Sequence, residues 1–286
     1  VATINEHFDT ALVLRDNGAD MNMLDARKET LMHNVYRRKI TKIFDFVLEA
    51  GASPNVKNGN CQTVTYIAFL TRDDEIAEKL QDKYKGDINA QDSQQFSLAH
   101  HALAANDLQR IEYLSGRHIN MDLRNNKGHS VLMMSFFTEV NFKTWSFLIE
   151  KGASINTVDF NDNSMLHHLL MNKNAREDVF RFLMDNKINY DIENKYGQFP
   201  ISIAIEMAHD KFGFELLNLN CKIIDSRSIH EPIVEALKRG NQKWVESLFD
   251  HGADALNQQV GVLSRYINSG FFKYKVFQKI QRMNIF

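Results

Sequence analysis

Apolar residues along this chain fall into short pairs of helical stretches separated by polar runs rich in glycine, asparagine and aspartate. Leu31, Met32 and Val35 are followed by Ile43, Phe44, Val47 and Leu48. Val64, Ile67 and Ala68 are followed by Ile76, Ala77 and Leu80, and Leu98, Ala102 and Leu103 by Leu108, Ile111 and Leu114. Spacings of three and four residues predict one apolar stripe on each of two short helices. The same scheme continues through Val131, Leu132 and Trp145, Leu148, then Leu166, Leu169 and Phe182, Leu183, then Ile201, Ala204 and Leu216, Leu217, and last Ile233, Ala236 and Val245, Leu248. A small residue sits five positions after the helix start at Ala68, Ala102, Ser135, Ala204 and Ala236, as close helix packing requires.

Three registers run in step with this pattern. The slot that opens the first helix holds Thr30, Thr63, Ser97, Ser130, Ser164, Phe199 and Glu231, at spacings of 33, 34, 33, 34, 35 and 32 residues. Eight residues upstream stand Asn22, Asn55, Asn89, Asp122, Asn156, Asp191 and Ile223. Five residues upstream stand Asp25, Asn58, Asp92, Asn125, Asp159, Asn194 and Ser226. Ser and Thr cap helices and Asn and Asp form turns, so each unit predicts helix, hairpin-like loop, helix.

A period near 33 built this way resembles the ankyrin repeat. The family's T-P-L-H opening corresponds to Thr30-Leu31-Met32-His33, Ser97-Leu98-Ala99-His100 and Ser164-Met165-Leu166-His167. Its G-A-D-x-N ending corresponds to Gly18 through Asn22, Gly51 through Asn55 and Gly152 through Asn156. The resemblance covers nearly the whole chain and implies an all-α ankyrin-repeat solenoid. It places an array over 1–256, with a leading half-repeat over 1–24 and units starting near residues 25, 58, 92, 125, 159, 194 and 226. A C-terminal helical cap is expected over 257–286, where Arg265, Lys273, Lys275, Lys279 and Arg282 stand with no acidic residue; that segment is expected to cover the last apolar face and also to meet an acidic surface. The chain departs from the family where the helix-ending glycine is replaced by Lys85, His118, Lys187 and Leu219. Gly86, Gly116, Asn186 or Asn220 is expected to make the left-handed turn there instead.

A solenoid grows in length without a second core, so 286 residues read as one elongated domain. The formal charge of -2 supplies no global basic field and excludes neither protein nor nucleic-acid partners; nucleic acid and anionic membrane are not the expected partners and form a third class carried by the terminal basic clusters. Cys61 and Cys221 lie several repeats apart, which argues against a disulfide and for a reducing, intracellular and cytoplasmic setting. No apolar run approaches a membrane span, and Val1 is not followed by a signal-peptide pattern. The chain opens inside a repeat, which predicts a piece of a longer protein. Its Asn, Lys, Phe and Met content is similar to that of divergent ankyrin proteins of intracellular bacteria and their secreted effectors, which would place it in a host cytoplasm.

Candidate chemistry is sparse. His100-His101 and His167-His168 point about 100° apart on a helix and cannot share one ion, so no metal or other cofactor is expected. No catalytic motif, phosphate loop or acid–base pair stands out, and the chain reads as non-enzymatic. The resemblance implies that His33, His100 and His167 bond to neighbouring loops, and that loop tips and inner-helix edges line a concave binding face. Mapped residue by residue, that face offers Phe96, Phe137, Phe160, Met171, Tyr196 and Met207 as an apolar band, with His129 on a tip and Arg27, Arg37 and Arg38 at one end. The basic run at Arg37 reads either as a solvated helix end or as a contact for an acidic partner. Exposed rings with a polar rim point to a protein or peptide partner rather than a small-molecule substrate. The alternative is a targeting arm of a larger enzyme or effector whose catalytic domain lies elsewhere.

Overall fold

The computed structural model describes residues 13, 15–138, 141–223 and 232–251, excluding the side chains of 41–42. The expected cap over 257–286, most of the leading half-repeat and the loop opening the unit near 226 lie outside the described residues. The chain divides into two compact units, Val1–Ala153 and Ser154–Phe286.

The first unit contains α1 (Leu31–Arg37), α2 (Thr41–Glu49), α3 (Val64–Leu70), α4 (Asp74–Tyr84), α5 (Leu98–Ala104), α6 (Leu108–Gly116), α7 (Val131–Thr138) and α8 (Phe142–Glu150). The second contains α9 (Met165–Met171), α10 (Glu177–Asp185), α11 (Pro200–Glu206), α12 (Asp210–Asn218), α13 (Pro232–Lys238) and α14 (Gln242–Asp250). Within each unit consecutive helices pack as pairs, and the first helix of each pair packs on the first helix of the next: α1 on α3, α3 on α5 and α5 on α7, then α9 on α11 and α11 on α13. The described residues are all-α, with no strand.

Local chemistry sets the helix starts. Thr30 and Thr63 accept the backbone N–H of His33 and Tyr66, and Ser97 and Ser164 form capping boxes with His100 and His167. Phe199 has no capping oxygen, but Pro200 follows at the first helical position, where its missing N–H costs nothing. Asp107, Asn141 and Asn241 cap α6, α8 and α14. Helices of seven to eleven residues are marginal alone, so burial must hold them. Leu166, Trp145 and Trp244 are fully buried, and the small slot at Ala68, Ala102, Ser135, Ala204 and Ala236 is closed by its neighbours.

The second helices carry a directed ladder of polar contacts, acid on the earlier helix and donor on the later one. Asp45 meets Lys79 at 2.7 Å, Asp74 meets Arg110 at 2.7 Å and Glu112 meets Lys151 at 2.9 Å in the first unit. In the second, Glu177 meets Lys211 at 2.5 Å and Asp210 accepts the Trp244 indole N–H at 2.7 Å.

The ends of the second helices correct one expectation. Gly51 and Gly152 turn with φ of 98° and 101°, and Lys85, His118 and Lys187 adopt the same left-handed turn in their own slots, at 58°, 64° and 60°. Gly86, Gly116 and Asn186 do not make it; in the seventh slot Asn220 does, with φ of 56°. The residue after the turn is what fixes it. Ile119 N–H bonds to Leu114 O and Ile188 N–H to Leu183 O while both side chains are buried, which offsets a left-handed cost of roughly 1 kcal/mol.

His118 is exposed, so His118→Gly removes backbone strain and no buried contact. It should raise unfolding stability by about 0.5 to 1 kcal/mol, read as a higher urea midpoint; an unchanged or lower midpoint would show the turn is unstrained. Leu166→Ala, at a fully buried position, should cost about 2 to 5 kcal/mol in the same assay.

Candidate functional site

Among the described residues six loops are five-residue hairpins, each organised by its first side chain. Asp92 N–H donates to Phe96 O at 3.1 Å, while Asp92 Oδ1 accepts the N–H of Gln94 at 2.9 Å and of Phe96 at 3.0 Å. Asp25, Asn58, Asn125, Asp159 and Asn194 do the same in their loops. The fourth residue of each hairpin turns left-handed: Lys28, Cys61, Gln95, Gly128, Asp162 and Gly197. Neighbouring hairpins then join edge to edge, as Ser93 N–H to Asn60 O and Asn126 N–H to Gln94 O in the first unit and Lys195 N–H to Asn161 O in the second.

The histidines bridge repeats. Nδ1 of His100 accepts from Ser97 and of His167 from Ser164, including both backbone N–H groups, which leaves the proton on Nε2. Nε2 donates to the next hairpin: His33 to Gln62 O at 2.9 Å, His100 to His129 O at 3.0 Å and His167 to Gln198 O at 3.1 Å. In the second repeat Tyr66 fills this slot, and its hydroxyl donates to Phe96 O at 3.1 Å. That substitution was not legible as a bridge from the motif. The second histidine of each pair turns back to its own hairpin, His101 to Asp92 and His168 to Asp159, both at 2.9 Å. Adjacent histidines therefore serve different partners, and no group of three metal-ligating side chains stands together among the described residues.

The asparagine slot bridges the opposite end of the loop. The Oδ1 atoms of Asn55, Asn89 and Asn156 accept the N–H of Asp87, Asn120 and Asn189 at 2.7, 2.7 and 2.6 Å, and Asp191 accepts from Lys222.

What these bridges leave over is the candidate surface. In the first unit Arg27 is exposed on a tip, Arg37 pairs with Glu29 at 2.5 Å, and Arg38 is exposed where α1 ends. The Phe96 ring is half-buried, about equally close to His100 (5.5 Å) and His101 (5.4 Å). His129 stacks at 4.5 Å on Phe137, which is 46% exposed near the end of α7. In the second unit Phe160 and Tyr196, on consecutive hairpins, are 45% and 60% exposed, while Met171 and Met207 lie half-buried at the ends of α9 and α11. No helix of the described residues is long and apolar enough to cross a membrane.

No protein-family model matches the chain. Its fold is similar to the solved ankyrin-repeat domain of Bcl-3, a member of the IkappaB family, with a TM-score of 0.50 and 18% identity over 68% of this chain and 86% of that one. In sequence it is 24% identical over 208 residues to a Danio rerio protein named as the palmitoyltransferase ZDHHC13, a match covering 72% of this chain and 32% of that protein. The chain thus spans about a third of that relative's length. The fold is an ankyrin-repeat fold.

Burial lowers the pKa of all three bridging histidines, that of His167 to about 4. Burial opposes the Asp92 and Asp159 carboxylates, yet the His101 and Asn163 bonds and the hairpin N–H groups hold both below the usual range. The unfolded histidines take up protons below about pH 6.5 and the folded ones do not, so stability is full above that pH and falls as pH drops toward 4. His167 alone accounts for roughly 3 kcal/mol across that window. Urea midpoints between pH 7 and 4.5 should fall steadily, and His167→Gln should flatten the slope; a slope unchanged by the substitution would locate the acid sensitivity elsewhere.

Proposed function

We propose that the chain is a non-catalytic interaction module that binds a protein or peptide with its hairpin tips and inner-helix edges. The observation that carries this reading is the division of labour in the hairpins. Polar residues at the repeated slots are engaged in bridging one repeat to the next, whereas Phe137, Phe160 and Tyr196 present large rings to water at 46%, 45% and 60% exposure. Exposed aromatic anchors with polar surroundings are the usual energetic centres of protein interfaces. The array over 1–256 with its cap over 257–286, in a reducing cytoplasmic setting, completes the proposal; Cys61 and Cys221 are both free thiols, which supports it. A bacterial effector acting in a host cytoplasm belongs to the same reading.

A second reading has one observation in its favour. The match to about a third of a protein named as a palmitoyltransferase supports these repeats as the recruiting arm of a larger enzyme. Acyl transfer by the isolated chain is not expected in either case, and a labelled-acyl assay on the chain alone separates both from an enzyme built within the repeats.

Replacing Phe137, Phe160 and Tyr196 together with alanine should weaken binding of the partner captured from native cytosol by at least about 2 kcal/mol, with little change in melting temperature. A sharp fall in melting with affinity intact would assign the rings to the stack.

A further inference from the structure

The chain contains two Asn-Gly steps, Asn17–Gly18 and Asn58–Gly59. Such a step loses ammonia more readily than other asparagine steps, because glycine has no side chain to shield its backbone nitrogen from the preceding side-chain amide. At the second of these steps both residues are demanded by the fold. A Cβ at Gly59 would stand 2.9 Å from Cβ and 3.1 Å from Cδ of Lys28 in the neighbouring hairpin, so a larger residue would displace Lys28. The other described hairpins carry Ala26, Ser93, Asn126, Phe160 and Lys195 at this second position. The first position needs an oxygen that collects two N–H groups, and Asn58 supplies it. Packing and hairpin chemistry together place a reactive pair at the joint between two repeats.

The same hairpin seals that pair. The Gly59 nitrogen, the group that would attack, donates its proton to Lys28 O at 2.8 Å. The Asn58 amide, the group that would be attacked, is buried and pinned at Oδ1 by the N–H groups of Asn60 at 2.9 Å and Gln62 at 3.0 Å. His33 closes the hairpin from the preceding repeat by donating to Gln62 O at 2.9 Å. Asn17 differs on each count. It is exposed, and the bonds it and Gly18 make, to Val13 O and Arg15 O, stay within their own turn.

We propose that Asn58–Gly59 is a latent deamidation site, closed while the hairpins over 25–29 and 58–62 are joined and reactive when they part. In the reaction the Gly59 nitrogen bonds to Cγ of Asn58, the side-chain nitrogen leaves as ammonia with the former amide proton, and a cyclic imide remains. Water then opens the ring. Attack at Cγ gives aspartate, the residue that already opens hairpins at Asp25, Asp92 and Asp159. Attack at the backbone carbonyl gives isoaspartate, in which the chain runs through Cβ and Cγ. That product turns the oxygen that collected the Asn60 and Gln62 N–H groups into part of a backbone amide and lengthens the hairpin by one atom. The joint then cannot close again, so a transient opening is converted into a permanent one.

The test keeps the full chain in mildly alkaline buffer made with heavy-oxygen water and reads conversion at both sites by peptide mass mapping. In denaturing urea Asn17 and Asn58 should convert at similar rates. In native buffer Asn58 should convert at least about tenfold more slowly than Asn17, as a buried, hydrogen-bonded site that reacts only through local opening. Urea below the unfolding midpoint should raise the Asn58 rate steadily as opening becomes more frequent. Equal native rates at the two sites, an Asn58 rate indifferent to urea, or no conversion of Asn58 in denaturing urea would each overturn the assignment. After ageing in urea and refolding, limited proteolysis should digest molecules with isoaspartate at position 58 first and spare those with aspartate. Equal survival of the two products would overturn the permanent opening.

Discussion

A hairpin loop that stacks on its neighbours without forming a sheet has backbone groups that no regular ladder satisfies, and the whole structure depends on how they are met. Buried N–H and C=O groups left unpaired would each cost about 1 to 3 kcal/mol. The answer is a side chain at each critical point. The opening Asp or Asn collects two hairpin N–H groups, the bridging His or Tyr reaches the next hairpin's last carbonyl, and the asparagine slot holds the N–H beyond the next helix. Helices of seven to eleven residues are held by burial, and these bridges connect the repeats whose apolar faces meet.

This economy separates what the stack dictates from what it leaves open. Tip residues at the third hairpin position, Arg27, Asn60, Gln94, Lys127, Asn161 and Tyr196, are two cations, three carboxamides and a ring, because the stack uses their backbone groups rather than a particular side chain. A cation, an amide and a ring fit the same backbone equally well. These side chains can therefore be changed at little cost in folding, provided the first residue of each hairpin stays Asp or Asn.

Much of the fold was legible because the repeat is written in short-range chemistry: caps, turn residues and helical spacing lie within a few positions of one another. Thr30, Ser97 and Ser164 announce helix starts, and His33, His100 and His167 announce bridges, whatever surrounds them. The failures are of two kinds. His118 and Lys187 read as obstacles to a left-handed turn, since the gain that outweighs the strain comes from burying Ile119 and Ile188, which local preference does not register; Lys85 turns the same way ahead of Gly86. Tyr66 has no place in the repeat motif, because its hydroxyl finds Phe96 O only across a repeat. The candidate surface was legible as a set of positions but not as a set of environments. Phe96 and Phe160 both read as tip residues in the sequence, yet one lies half-buried against two histidine rings and the other is 45% exposed. That difference follows their places in the hairpin: Phe96 is its fifth residue, beside the helix that carries His100 and His101, and Phe160 is the second residue of its own.

The ladder along the second helices has a polarity. Each of its rungs sets an acid of the earlier helix against a donor of the later one, so a repeat such as the one containing α6 offers Arg110 backward to Asp74 and Glu112 forward to Lys151. A unit of this kind has a socket at one end and a plug at the other. Deleting or duplicating a whole repeat rejoins plug to socket, whereas reversing one would set carboxylate against carboxylate. Exposed pairs contribute little to stability individually, yet they give the array a grammar of assembly: it can lengthen or shorten by whole units along one direction, which is the kind of change that tandem duplication in a gene supplies.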